Sequence, residues 1–229
     1  LVLLFNPTTP FLSEAMYQKV YRELDNTLPG TVNLEGWPKP DAALEDTALE
    51  KEFEALLRCV PLVYSARQSA RLKRRWPLKE AMIIAPTNVL KALKNLEELF
   101  LELANVKKVR YSEKLPEVDS KRWALASDVE LHVLLDTRRD EALEGEGLMR
   151  DLARRVQALR KELGFMPTDI LNAVYVAELD SESVKLLEPY LTEMAELVRA
   201  KKVYVYRGRS EVKAEWHECS LDDKKIYVA

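Results

Sequence analysis

The stretch Val63-Tyr-Ser-Ala-Arg-Gln-Ser-Ala-Arg-Leu-Lys-Arg-Arg-Trp-Pro-Leu-Lys79 contains six cationic residues and no acidic residue. The whole chain, in contrast, carries a formal net charge of −3. On a helix with about 100° per residue, four of these cations share one narrow arc, and Lys73 lies outside it. The four are Arg67, Arg71, Arg74 and Arg75. The spacing therefore predicts a basic stripe on a helix, and the lack of nearby acids favours an anionic partner.

The residues before this stretch predict that the stripe continues a core-facing surface. Apolar side chains recur there at spacings of three or four and lead onto Arg67; they are Leu49, Phe53, Leu56, Val60 and Val63. We predict one helix from Asp41 to Arg75, whose basic end extends beyond the core because burying unpaired guanidinium groups is costly. Two alternatives stay open. Pro61 can kink the helix and reset its phase, and a run of charge can be a solvated face.

The composition limits the class of protein. A chain of 229 residues that is 47% hydrophobic and 32% charged fits one large or two to three small globular domains. The net charge excludes a protein that coats nucleic acid with its whole surface, so any such contact is local. Two cysteines form no disulfide framework, which favours a cytoplasmic protein. No apolar run approaches the roughly 20 residues that span a bilayer, so we expect no membrane partner. Because Leu1 opens an apolar run, we expect a fragment.

Turn residues and periodicity predict an α+β fold. Thr9 is expected to cap a helix that begins at Pro10, and residues 25–46 form a long loop. Strands are predicted within residues 79–85 and 106–111. The helix between them is long enough for the two strands to be parallel. A linker is predicted at residues 114–123.

The last hundred residues predict a mixed sheet with helices. Alternation in Val129–Leu135 indicates a strand that opens this part of the chain. A helix is predicted at 143–163 and another at 181–200, the second divided where Pro189 begins its second half. Further strands are expected within 170–178, 203–206, 212–216 and 225–228. We predict three domains: a helical bundle at 1–76, a small β-α-β unit at 77–113, and a C-terminal α+β domain at 124–229.

The helix at 143–163 predicts a second basic surface. Its apolar face consists of Leu148, Leu152, Val156, Leu159 and Leu163. The opposite face consists of Arg150, Arg154, Gln157 and Lys161, with Arg155 and Arg160 at the boundary. Asp151 and Glu162 can neutralise part of this charge, so a solvated face stays an alternative here as well.

No catalytic or metal-binding pattern is present in the sequence. There are two histidines and six glycines, and no glycine-rich phosphate loop. His217 and Cys219 form a His-x-Cys pair, but a structural zinc site usually needs four ligands and neither Cys59 nor His132 has a suitable spacing. We therefore predict no catalytic residues and no metal ligands.

Three groups of segments resemble the C-terminal part of isoleucyl-tRNA synthetase, a class I aminoacyl-tRNA synthetase. They are Pro10–Glu14; Ser65–Arg67 with Lys73–Leu78 and Asn105–Val109; and Gly147–Phe165 with Thr168–Asp169. The resemblance covers nearly the whole chain. Because no cysteine-rich zinc module is present, the chain is most similar to the archaeal type.

The resemblance implies a tRNA-binding fragment. Residues 1–76 would be the remnant of an anticodon-binding bundle, and the catalytic and editing domains, with their ATP and Mg²⁺, would lie elsewhere in the parent synthetase. The implied partners are the anticodon arm of isoleucine tRNA and the rest of that enzyme, and the fragment alone would need no cofactor and be inactive. The implied tRNA-binding residues are Arg67, Arg71, Arg74, Arg75, Trp76, Arg154, Arg155 and Lys161. Since the family often has Gln where this chain has Trp76, stacking or packing replaces a polar contact there. The alternative is an architectural module whose basic helices dock on acidic proteins.

Overall fold

A computed structural model describes residues 1–221 and 224–229. The chain divides into two compact units, Leu1–Thr47 and Ala48–Ala229. Both helices and mixed sheets are present, which confirms the predicted α+β class. No helix among the described residues is long and apolar enough to cross a membrane.

The first unit is built from short helices. These are α1 (Val2–Phe5), α2 (Pro10–Met16), a π-helical turn (Tyr17–Tyr21) and α3 (Arg22–Leu24). The helix begins at Pro10 with Thr9 at its N-cap position, as predicted, but the Thr9 hydroxyl makes no capping hydrogen bond and donates to the Phe5 carbonyl instead. Val2, Tyr17 and Val32 form its small core.

Helix α4 spans Thr47–Ser69, so the prediction of a helix from Asp41 to Arg75 is wrong at both ends. Asp41 caps a separate turn by accepting the amide of Ala43. The helix continues through Pro61, and its buried face consists of Ala55, Leu56, Cys59, Val63, Ala66 and Arg67. The core-facing stripe therefore includes one of the arginines.

The first sheet has the strand order β2-β1-β4-β3. Its strands are β1 (Ala81–Ile84), β2 (Val109–Ser112), β3 (Trp123–Ser127) and β4 (His132–Asp136). The predicted parallel pair is confirmed, with Ala81 opposite Val109. Two helices, α5 (Thr87–Asn95) and α6 (Glu97–Ala104), form the crossover between these strands.

Strand β4 belongs to this first sheet. The prediction that it opens the C-terminal part of the chain is corrected by its antiparallel pairing with β1, in which Leu135 lies opposite Ala81. The predicted linker contributes Val118, which packs with Met82, Ile84, Trp123 and Leu134 on the other face of the sheet. The chain thus closes both faces of its first sheet.

The second sheet has the order β6-β5-β8-β7. Its elements are α7 (Glu141–Glu162), β5 (Val174–Ala177), α8 (Ser181–Leu187), α9 (Leu191–Leu197), β6 (Val203–Val205), β7 (His217–Leu221) and β8 (Lys224–Val228). The predicted division at Pro189 is confirmed by a 3₁₀ turn, Glu188–Tyr190. The strand predicted at 212–216 is wrong, because pairing with β8 begins at His217.

The two halves of the second unit are structural repeats. Each has a long helix, a parallel β-helix-helix-β crossover and an antiparallel hairpin, in the same strand order. Each long helix ends with a buried arginine, Arg67 or Arg160. Both arginines donate to backbone carbonyls at offsets of 6, 9 and 38 residues: Lys73, Trp76 and Asn105 for Arg67, and Met166, Asp169 and Val198 for Arg160. In each half, the equivalent arginine therefore connects the end of the long helix to the equivalent following segments.

Candidate nucleic-acid interface

The basic segment after α4 is a loop. Arg71 has a left-handed backbone (φ 54°), and the amide of Leu72 returns to the carbonyl of Arg67 at 2.8 Å, which ends the helix. Arg71, Arg74 and Arg75 consequently do not lie on a helix, and the predicted helical stripe is wrong. The side chains of this loop are placed by tertiary contacts.

Arg67 lies inside the core. Its side chain is 1% exposed and its guanidinium group donates to the carbonyls of Lys73, Trp76, Ala104 and Asn105 at 2.8–3.0 Å. Burial lowers its pKa to about 10. The structure thus gives Arg67 a structural role and leaves it no surface for RNA.

Trp76 packs against α7. A Cβ atom at Gly147 would lie 2.4 Å from the Trp76 ring, so the indole rests directly on this glycine. Its Nε1 donates to the Asp151 carboxylate at 2.7 Å, and the Arg139 guanidinium lies 4.7 Å from the ring centroid. Of the two alternatives for Trp76, stacking on a base and packing within the protein, the structure shows packing.

Four of the predicted arginines converge on one surface cleft. It has a volume of about 660 Å³ and opens between the loop after α4 and the middle of α7. We call it the arginine cleft, defined by Arg74, Arg75, Arg154 and Arg155. Its lining is completed by Tyr64, Lys73, Glu102, Leu103, Asn105, Asp151 and Leu221.

The cleft is electrostatically positive. Asp151 is engaged by Lys73 at 3.1 Å and by Trp76. Among the described residues, no carboxylate lies within ion-pair distance of the four arginines that define the cleft. The Arg74 guanidinium lies 4.0 Å from the Tyr64 ring centroid, which holds it over an aromatic face. An anion can therefore be met by several guanidinium groups at once.

Asn105 fixes the base of the cleft, a role that the sequence analysis missed. Its backbone is left-handed (φ 51°), a conformation that Asn tolerates. Its side-chain Nδ2 donates to the Arg74 carbonyl at 3.0 Å, and its side-chain Oδ1 accepts a hydrogen bond from Arg150 at 2.8 Å. Arg150 is in turn paired with Glu146 at 2.6 Å. The available signal was that Asn105 begins one of the segments that carry the family resemblance.

The remaining predicted residues lie elsewhere. Arg71 and Lys161 are exposed, and neither belongs to the lining of the cleft. Within the described part of the chain, no group of three or more His, Cys, Asp or Glu side chains could hold a metal ion. Cys219 instead packs against the core of the second sheet.

The chain is similar to tRNA ligases. Residues 1–83 match the anticodon-binding domain of tRNA ligase. The similar proteins are isoleucine–tRNA ligases. That of Dehalococcoides mccartyi is 32% identical over 79% of this chain and 18% of its own length, and that of Pyrobaculum aerophilum is 29% identical over 86% and 19%. That of Clostridium kluyveri is 24% identical over 100% of this chain and 28% of its own.

These matches confirm the resemblance to the C-terminal region of isoleucyl-tRNA synthetases. The chain spans 18–28% of the length of these relatives. The archaeal type stays a prediction.

Proposed function

We propose that this chain is the tRNA-binding part of an isoleucine–tRNA ligase. It would hold the anticodon arm of isoleucine tRNA while a catalytic domain outside the chain, with ATP and Mg²⁺, carries out aminoacylation in the cytoplasm. The observation that supports RNA binding is the arginine cleft, in which four guanidinium groups share one opening without carboxylate partners among the described residues. The anticodon-binding match over residues 1–83 supports tRNA as the RNA.

The chemistry of the cleft suits phosphate groups. Guanidinium groups form bidentate, charge-assisted hydrogen bonds with phosphate oxygens, and these contacts set the position of RNA without reading its sequence. The cleft therefore accounts for affinity, and the choice of tRNA needs contacts to bases.

A titration with isoleucine tRNA tests this proposal. We expect Arg74→Ala with Arg154→Ala to weaken binding at least tenfold, because each arginine supplies a phosphate contact. Arg71→Ala with Lys161→Ala is the matched control, since it removes two exposed cations outside the cleft. Equal loss in both variants would point to general attraction rather than to the cleft.

The architectural alternative predicts a different result. A module that docks its cations on acidic protein would bind tRNA with and without the isoleucine anticodon equally well. Competition between the two transcripts at physiological salt separates these functions.

A further inference from the structure

The second sheet carries a cluster of tyrosines on the face away from its helices. Val174, Val176 and Val203 are buried in the core that α7 and α9 cover. Tyr175 and Tyr204 alternate with these valines and lie on the opposite face, because successive strand residues point to opposite sides. Tyr206 follows β6, and its amide still pairs with the carbonyl of Val176.

The three rings form a continuous aromatic surface. Their centroids are 5.5, 6.3 and 6.5 Å apart, and their planes differ by 14–27°. Three parallel rings in one stack would place the outer two about twice as far apart as neighbours. Since all three separations are similar, the rings lie largely side by side. We call Tyr175, Tyr204 and Tyr206 the tyrosine platform.

The equivalent face of the first sheet has only a structural role and allows a comparison. In the first sheet, Met82 occupies the position that Tyr175 occupies 93 residues later (82 to 175), and it is buried with Trp123 under Val118. Tyr204 is 37% exposed. Within the described residues, no such cluster covers the tyrosines.

The charges around the platform match a phosphodiester chain. Lys202 and Arg207, at the two ends of β6, are exposed, and no acid among the described residues lies within ion-pair distance of either. Three acids of this half are engaged elsewhere, Glu178 by Arg209, Glu218 by Lys225, and Glu211 by the amide of Gly208. Glu196 lines a surface pocket together with Lys202 and Tyr204, beyond ion-pair distance of Lys202. Lys202 precedes β6 directly and has the same strand parity as Tyr204, whereas Arg207 lies two residues beyond the end of β6 at a bend in the chain. A purely apolar partner would gain nothing from them.

We propose that the tyrosine platform binds two or three unpaired bases of single-stranded RNA, while Lys202 and Arg207 contact the phosphates. Four-stranded sheets that bind single-stranded RNA stack bases on exposed aromatic rings in this way. The inference rests on the proposed function for RNA as the ligand, and it adds a base-binding site separate from the arginine cleft.

The test uses the 229-residue chain and a fluorescein-labelled seven-nucleotide RNA, followed by anisotropy. Tyr175→Ala with Tyr204→Ala should weaken binding at least about tenfold, because stacking on an aromatic ring contributes strongly for each base. Tyr175→Phe with Tyr204→Phe keeps the rings and should bind within about twofold of wild type. Wild-type affinity in the alanine variant overturns the proposal.

An abasic oligonucleotide of the same length separates the two sites. The alanine variant should lose affinity only for the RNA that has bases, whereas Arg74→Ala with Arg154→Ala should lose affinity for both oligonucleotides. If only the cleft variant changes binding, the platform fails and the proposed function stands. If the platform variant alone loses base-dependent binding, the platform stands without the cleft.

Wild-type protein gives a measurement that does not depend on the folding of a variant. Tyrosine ring resonances should shift during titration with the seven-nucleotide RNA. Unshifted resonances overturn the proposal, as does a change of oligomeric state in the alanine variant with unchanged RNA affinity, because the face would then be a protein interface.

Discussion

Arg67 is held by carbonyl dipoles, and its replacement has a specific consequence. Arg67→Met would remove the guanidinium donor from four carbonyls, of which those of Lys73 and Asn105 keep only a backbone amide donor, and we expect it to lower the free energy of unfolding by about 3–5 kcal/mol. Urea denaturation measures this loss. Arg71→Met, at an exposed position, should stay within about 0.5 kcal/mol of wild type. Equal midpoints for Arg67→Met and wild type would contradict the structural role.

Gly147 provides a second test at the residue scale. Gly147→Ala places a methyl group into the Trp76 ring, so the indole must move and lose its hydrogen bond to Asp151. We expect a loss of about 1–3 kcal/mol in stability. Trp fluorescence should shift to longer wavelength as the indole becomes solvated.

The control for this change is Gly30→Ala, because no heavy atom lies within 4 Å of a Cβ at that position. An unperturbed spectrum in Gly147→Ala would show that the contact is loose.

At the scale of elements, Asp136 links the end of β4 to neighbouring arginines. Its side chain is 1% exposed. Burial alone would raise its pKa, but hydrogen bonds from Arg122 and Arg138 outweigh burial and hold the pKa at about 2, below the ordinary value of 3.8. The ionised carboxylate therefore stabilises the fold above pH 4, and this contribution is lost as the pH falls toward 2.

We therefore expect Asp136→Asn to be less stable than wild type by about 2 kcal/mol at pH 6. Because wild-type Asp136 becomes protonated, the difference should shrink toward zero near pH 2. Chemical denaturation of both proteins across this range measures it. A difference independent of pH would show that the carboxylate does not carry the effect.

The elements that sequence patterns predicted are those fixed by local signals. The helix at 143–163 has a regular apolar face, and Pro189 has no amide to continue a helix. The end of α4 was not predictable in this way, because Arg67 turns inward to carbonyls as far away as Asn105. The pairing of β4 with β1 likewise joins residues that are far apart in the sequence, so local patterns do not predict it.

The candidate site likewise has a part that the sequence predicted and a part that depends on long-range packing. The sequence supplied Arg74, Arg75, Arg154 and Arg155, whereas their convergence depends on the packing of Trp76 on Gly147. The sequence predicted a strand within residues 203–206. It did not show that one face of this strand stays uncovered, because cover comes from distant segments.

At the scale of the whole molecule, the net charge of −3 and the arginine cleft together predict how binding responds to salt. Affinity for tRNA should fall steeply with ionic strength, since each neutralised phosphate releases counterions. Arg74→Ala with Arg154→Ala should reduce the slope of log affinity against log salt by about 1–2. The slope is obtained from binding measured at salt concentrations from about 50 to about 200 mM, where this effect is large. A wild-type slope in this variant would remove the cleft from the interface.

The repeated architecture also bears on how the molecule opens. Each half of the second unit has its own sheet and its own buried arginine, so loss of one set of hydrogen bonds leaves the other set intact. Amide protons of β1 and β5 can therefore exchange with solvent through separate, partial unfolding events. A destabilising substitution in one half would then give faster amide exchange in that half only, while the amides of the other half stay protected.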